Sequence, residues 1–357
     1  VSAGTPPSAE TVHEVKAELA ASAGEAQAKQ SRRGLIRIAI AVVAFVALIV
    51  VVNLLTSGNF FTAGNLTNVL RQITYNAILA VGQTFVIITA GIDLSVGSLI
   101  ELTGVVMAQF ANATGLNGPL LVILTTIVGV LAGCAAGLVN ALPVVRLNLP
   151  PFITTLAMML MARGLAFKLS HGQPVPLTSN AFNALGTDYA LHDLLKPLGL
   201  PGIPWAVLVM LVVVIVFAIV LNRTRFGRYV LALGGNEEAA RLAGINVRLV
   251  KTFVYVISGG CAGLAGMLLM ARFSSGSPQT GIGSELQSIA AVVVGGTSLM
   301  GGRGSVVATF FGALLIGVLN NVMNLLNIES YTQDIVLGAV ILLAVMAEEI
   351  RKRVFAK

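Results

Sequence analysis

The residues of this chain whose types and spacing could act together lie in one short polar stretch, GGNEEAARLAG at 234–244, between two strongly apolar segments. Asn236 can accept a backbone hydrogen bond as a helix N-cap, Glu237 and Glu238 place negative charge on the first turn, and Gly244 suits a left-handed terminating residue. Gly234 and Gly235 read as a turn ahead of that helix. At about seven residues it is too short to persist alone in water and needs a partner. Ala239, Ala240 and Ala243 form a small-residue face, while Glu238 and Arg241 share the exposed side. The chemistry on offer is docking: a rigid knob with charged edges that fits a groove in another protein. Two acids facing an anionic leaflet argue against a helix lying on lipid headgroups.

Other polar groups are scattered through apolar runs. Asp93, in GIDLSVGS at 91–98, reads first as the N-cap of the helix that follows and second as a functional intramembrane carboxylate. Asn76, Gln83, Thr84, Gln109, Asn140, Thr154, Thr155, Asn320, Asn321 and Asn324 are candidates for lining a path. Their amides and hydroxyls both donate and accept hydrogen bonds, which suits a neutral, many-hydroxyl solute; bonding between helices is the competing reading. Arg163, inside the fifth apolar run but near its outer end, is expected to snorkel or pair, and apart from Asp93 and Glu101 carboxylates are scarce within the spans. No metal site is expected, because His171 and His192 lack Cys or His companions and Cys134 and Cys261 have small apolar neighbours. A membrane enzyme is disfavoured, since no Ser/His/Asp set, HExxH or facing carboxylate pair is present. Nor is there a G-x-x-x-x-G-K-[ST] loop, so the chain cannot itself cradle ATP phosphates in a P-loop.

The elements that must hold these residues are membrane helices. Of 357 residues 56% are hydrophobic and 10% charged, with a mean hydropathy of +0.90, far from the roughly 25% charge of soluble domains. Spans are expected at about 34–56, 73–90, 97–112, 119–142, 152–170, 203–221, 252–271, 286–299, 305–326 and 332–347. The fold class is therefore all-α and polytopic, with about ten transmembrane helices and both termini on one side. That arrangement places 17 of the 22 basic residues, including the RTRFGR loop and RKRVFAK tail, on the cytoplasmic side. The formal charge of +7 is thus topogenic, and no nucleic-acid partner is expected. The segments are a cytoplasmic tail at 1–33, a transmembrane domain at 34–347 containing a cytoplasmic loop at 222–251, and a basic tail at 348–357. The proline-bearing outside loop at 171–202 suits either docking or passive connection. Glycine-rich breaks at 91–98 and at GGTSLMGGRGS, 295–305, suggest an internal repeat of spans two to five in seven to ten. AGCAAGLVNAL and SGGCAGLAGMLL mark tight helix packing.

GIDLSVGS, PPFITTLAMMLMARGLAF, RTRFGRYVLALGGNEEAARLAGINV, AAVVVGGTSLMGGRGSVVATFFGALLIGVLNNVMNLL and YTQDIVLGAVILLAV together resemble the inner-membrane permease subunits of bacterial ribose-type sugar ABC importers, over roughly 35–353. Glu238, Ala239, Ala240 and Gly244 match the start of the glutamate-alanine-alanine loop of importer permeases, although the Ile-x-Leu-Pro ending found in other importers is absent. The resemblance implies a permease in the bacterial cytoplasmic membrane that translocates a ribose-like sugar or polyol. Implied partners are a second permease copy, two cytoplasmic ATPase subunits that use ATP and Mg, an extracytoplasmic sugar-binding protein and membrane lipid. The chain itself would bind no cofactor, and residues 234–244 would be the ATPase-coupling element. The alternatives are a related permease for branched-chain amino acids or nucleosides, or an ion-coupled carrier acting alone.

Overall fold

The computed structural model describes residues 50–190, 192 and 202–355. The tail at 1–33, most of the first expected span, Lys196 and Lys357 lie outside them. Of the described residues, those up to Phe60, helical over 50–55, fall in one compact unit and those from Phe61 onward in the other.

The second unit begins with α1 (Ala63–Ile88), capped by Thr62, whose side chain accepts from the Asn65 amide. This helix starts well before the expected 73, because Arg71 interrupts the apolar run without interrupting the helix. The Arg71 guanidinium donates to the Thr187 carbonyl and lies 5.0 Å from the Tyr189 ring centroid, so its charge is answered by the loop beyond the helices. Then come α2 (Val96–Thr114), α3 (Gly118–Arg146) and α4 (Pro151–Leu169). Pro119 near the start of α3 and Pro151 at the start of α4 occupy places where a missing N–H costs nothing.

The segment after α4 carries strands β1 (Val175–Pro176), β2 (Tyr189–Ala190) and β3 (Ile203–Pro204). A second apolar stretch gives α5 (Trp205–Arg223), which leads into α6 (Arg225–Gly235), α7 (Glu237–Leu242) and α8 (Val247–Phe273). After β4 (Ser275–Gly276) follow α9 (Ser284–Val294), α10 (Val306–Leu325) and α11 (Ser330–Phe355). β1 pairs with β4 and β2 with β3, tying the long loop to the ends of α8 and α5. The segment expected as a basic tail from 348 continues α11 as helix to Phe355.

Seven of these helices are long and apolar enough to cross a membrane. α1 is long but polar in places, and α9 has only 11 residues, about 17 Å or half a hydrocarbon core. Ten complete spans are therefore not what the described residues display. The apolar run expected as a span at 286–299 stops being helical at Val294, where Gly295 and Gly296 follow and Gly296 has a φ of +84°.

α9 starts partway across the bundle, and so does α2. A Cβ at Gly276 would lie 2.3 Å from the Gly104 carbonyl oxygen, and one at Gly281 would lie 2.0 Å from that of Gly97. The chain from 276 to 281 thus runs down alongside α2 before α9 begins. On the other side, Asp93 bonds Ser258, near the middle of α8, just before α2 begins. From this common point α2 runs toward the β1–β4 pair. α9 runs the opposite way, toward residues 295–305, where the Gly302 N–H donates to the Ile88 carbonyl at the end of α1.

Exchanging α1–α4 for α8–α11 maps packed pairs onto packed pairs: α3 on α8 becomes α10 on α1, α2 on α8 becomes α9 on α1, α2 on α3 becomes α9 on α10, and α2 on α4 becomes α9 on α11. The two glycine-rich breaks, expected at matching places, do not match in this exchange. GIDLSVGS precedes α2, whereas GGTSLMGGRGS follows α9, the counterpart of α2. The segment that does correspond to GIDLSVGS is the descending stretch before α9.

The seam between α3 and α8 is built on glycine. A methyl at Gly133 would lie 2.1 Å from the Gly259 carbonyl oxygen and one at Gly259 2.1 Å from that of Gly133; Gly137 meets Tyr255 and Gly263 meets Gly129 in the same way. Backbones touch over successive turns, as the small-residue runs suggest.

Candidate functional site

α5 hands over to the coupling region through a tight bend. Thr224 caps α6, its hydroxyl accepting from the Gly227 amide at 3.2 Å and donating to the Val220 carbonyl at 2.6 Å. α6 is anchored by Phe226, which stacks on Phe85 of α1 at 6.2 Å between centroids and meets Phe253 of α8 edge-on at 6.3 Å. Gly234 and Gly235, expected as a turn, are instead the last two residues of α6. The reason is packing: a Cβ on Gly234 would lie 1.7 Å from the Ile88 carbonyl oxygen and 2.5 Å from the Gly302 amide nitrogen. The end of α6 is thereby wedged against both α1 and the second glycine-rich break.

The direction change falls on Asn236, which is extended (φ −159°, ψ 106°) and accepts from the Ala239 amide at 2.9 Å, as an N-cap should. α7 has six residues, with Glu237 and Glu238 in its first turn and Arg241 in its last. Gly244 has a φ of +82° and closes the helix as expected. Ala240 is buried at 5% exposure, whereas Leu242 is 82% exposed. Arg241 lies 3.4 Å from Glu237 and 3.7 Å from Glu238, and Lys251 of α8 bonds Glu237 at 2.7 Å. A groove of about 410 Å³ runs beside α7, lined by Val144 and Asn148 near the end of α3 and by Glu237, Arg241, Asn246 and Lys251. The element is a braced knob with an exposed leucine, open to a partner.

Of the path candidates, Gln83, Asp93 and Asn140 converge on GIDLS. The Gln83 amide donates to the Asp93 carbonyl at 2.8 Å, Asn140 donates to the Ser95 hydroxyl at 2.8 Å, and Thr155 donates to the Ile92 carbonyl at 3.1 Å. Asp93 is not the N-cap. α2 begins at Val96 after Ser95, and Asp93 accepts from the Ser95 amide at 3.0 Å and hydroxyl at 2.6 Å, and from Ser258 at 2.8 Å. It is fully buried and satisfied, closing a local turn and tying it to α8.

The remaining candidates lie elsewhere. Thr84 bonds Thr309 at 2.9 Å, Asn321 exchanges two bonds with Asn65, Asn324 accepts from Gln333, and Gln109 donates to the Leu169 carbonyl. Asn320 is buried at 7% exposure, and Thr154 bonds only within its own first turn. Asn76 donates to Gln287 of α9 at 2.7 Å.

Arg163 pairs: its Nε donates to Glu101 Oε2 at 3.3 Å. The polar residue that sequence reasoning passed over is Glu285. A usable signal was present, because GSLIEL at 97–102 and GIGSEL at 281–286 share Gly-x-x-x-Glu-Leu at one offset: 281 − 97 = 184 and 285 − 101 = 184.

A bundle of apolar helices, two of them beginning inside it, with one braced polar knob at its edge, defines a multi-pass membrane permease. The chain belongs to the family described as the permease component of the branched-chain amino acid transport system, whose profile matches residues 65–345. It is 45% identical over 306 residues to the ribose import permease protein of Escherichia coli (strain K12), covering 86% of this chain and 92% of that one. It is 43% identical to the ribose import permease protein of Haemophilus influenzae, over 85% of this chain and 91% of the other. It is also 38% identical to an L-arabinose ABC transporter permease protein of Azospirillum brasilense, over 84% of each. No solved structure gives a significant match.

Proposed function

We propose that the chain is the membrane-spanning subunit of an ATP-driven importer that passes a monosaccharide or similar polyol across the cytoplasmic membrane. It works as a pair of identical copies with two cytoplasmic ATPase subunits, which use ATP and Mg, and an extracytoplasmic sugar-binding protein. The names of the relatives support the substrate class, and the family membership supports the partners. The proposed topology has ten membrane segments, α1 and the half-length α9 counted among them, with both termini in the cytoplasm and two inverted four-helix sets, α1–α4 and α8–α11. The exchange of packed pairs and the opposed directions of α2 and α9 support that repeat.

The observation that carries the mechanism is the setting of α7. Gly234, Asn236, Glu237, Glu238, Ala239, Ala240, Arg241 and Gly244 build or cap the knob, and Gly234 abuts both Ile88 and Gly302. When a partner pushes α7, close-packed backbone passes the displacement to α1 and to residues 295–305, where no compliant side chain intervenes to absorb it. From there it reaches α9 and α10, which changes access to the path.

Reconstituting the chain in proteoliposomes with its ATPase and sugar-binding protein tests this reading. Sugar uptake should require all three and ATP hydrolysis. Uptake by the chain alone under an ion gradient would show a secondary carrier instead.

A further inference from the structure

Opposite charges meet inside the helix assembly where α2 and α9 begin. Glu101 is fully buried; its Oε2 is held by Arg163, its carboxylate faces the Gly281 backbone amide, and the Glu285 carboxylate lies within electrostatic range. Glycine permits the approach. A Cβ at Gly97 would lie 2.1 Å from Glu285 Oε2, and one at Gly281 would lie 3.1 Å from Glu101 Cγ. Each glutamate therefore rests against the start of the other's helix, at positions related by the same offset of 184.

Three atoms of this cluster are buried without a hydrogen-bond partner, Glu101 Oε1, Glu285 Oε2 and Arg163 Nη2, the Gly281 amide that faces the Glu101 carboxylate falling outside hydrogen-bond geometry. Leaving ionic atoms unsatisfied is costly even where, as for Arg163 and Glu285, the side chain is partly exposed, and charged groups that persist among membrane helices commonly meet a transported solute or ion. Types narrow the choice. The two oxygens accept and the guanidinium nitrogen donates. A metal cation would satisfy the carboxylates and repel Arg163, an anion would do the reverse, and a carbonyl could answer Arg163 alone. Hydroxyl groups answer all three, since each donates and accepts. Two carboxylates against one guanidinium also disfavour an anionic solute.

We propose that Glu101, Arg163 and Glu285 form a hydroxyl-binding centre for the transported polyol at the meeting point of α2 and α9. This rests on the sugar-import reading and places that solute on named residues. The centre is linked to the knob by one short element: α9 runs from Glu285 to Val294 and straight into the loop whose Gly302 abuts Gly234. Motion at α7 therefore shifts α9 against α2, and with it one carboxylate of the centre against the other.

The test uses the complete complex in proteoliposomes, comparing uptake of the parent pentose with its singly deoxygenated analogues, each normalised to its affinity for the same binding protein. Wild type should disfavour at least one analogue by about tenfold, the scale of a hydrogen bond to a charged group. Glu285→Gln should take up the parent sugar about tenfold more slowly and lose most of that discrimination. If Glu285→Gln does not assemble, Glu285→Asp, which keeps the charge but shortens its reach, is read in the same way. Unchanged discrimination in an active variant overturns the centre and leaves the sugar-import reading standing. So does a shift in the pH profile of uptake without a change in discrimination, which would mark a shared proton instead. A wild-type complex that takes up no sugar overturns both.

Discussion

Two seams of the bundle occupy corresponding places and are made of different chemistry. Between α3 and α8 the contact is backbone on backbone, through Gly129, Gly133 and Gly137 against Tyr255, Gly259 and Gly263. Between α1 and α10 side chains do the joining: Asn65 with Asn321, Thr84 with Thr309, and Gly317 seated on Ile73. The glycine seam gathers many close contacts that must be lost together if it opens. The polar seam is a few discrete hydrogen bonds, each of modest worth between membrane helices. α10 also leads directly from the loop that abuts Gly234. The difference suggests a division of labour in which α3 and α8 are the fixed scaffold and α1 against α10 is the seam that yields.

The largest effect should come from breaking the scaffold. Gly133→Val would drive a branched side chain into the Gly259 carbonyl, with no side chain there to move aside. Overpacking of this kind costs on the order of 3 kcal/mol. The expected outcome is a large loss of folded, detergent-soluble protein and a thermal midpoint well below wild type. A midpoint within a degree of wild type would show that the backbone contact is not what holds this seam.

Next come changes that leave the scaffold intact and cut its drive. Gly234→Val should leave the protein inserted but disturb the junction with Ile88 and Gly302, lowering ATP-driven uptake by tenfold or more. Glu238→Lys, at the 71% exposed edge of α7, and Gly244→Val, forced into the left-handed region at a φ of +82°, should uncouple at the knob itself. Substrate-stimulated ATP hydrolysis measured on the assembled complex separates the cases. If all three variants hydrolyse ATP and transport as wild type does, α7 is not where the work enters.

How far these regions could be read beforehand follows from the range of the interactions involved. The caps of α7 are local, within a few residues of Asn236 and Gly244, and the chain states them directly. The glycine spacing of the scaffold seam is legible for the same reason, since each helix carries its own stripe. Gly234 reads as a turn residue in the sequence because what forbids a side chain there is Ile88, far away in the chain. α9 looked like a span because its apolar run continues through Gly295 and Gly296, where the backbone turns. Asp93 reads as a helix N-cap because the bond that ties it to Ser258 of α8 comes from far away in sequence. Arg163 by itself states that a charge among apolar residues needs an answer, but that Glu101 supplies it and that Glu285 approaches depend on separate helices meeting in the interior.

The smallest effect, and the sharpest one for the comparison, is expected at the polar seam. Asn65 donates to Asn321 at 3.0 Å and Asn321 returns a bond to Asn65 at 2.8 Å, both side chains being buried. Asn321→Leu alone removes both hydrogen bonds that join Asn65 to α10 and should cost about 1 kcal/mol. Adding Asn65→Leu makes both halves of the pair apolar, so the double variant should recover most of that loss. If the seam yields during transport, the double variant should be nearly as stable as wild type and yet transport at a different rate, because apolar contact replaces bonds that had to break and reform. Thermal midpoints for the four members of the cycle, set beside their uptake rates, decide it. A double variant that matches wild type in both would make α1 and α10 as static as α3 and α8, and the contrast between the two seams would then be one of composition without mechanical consequence.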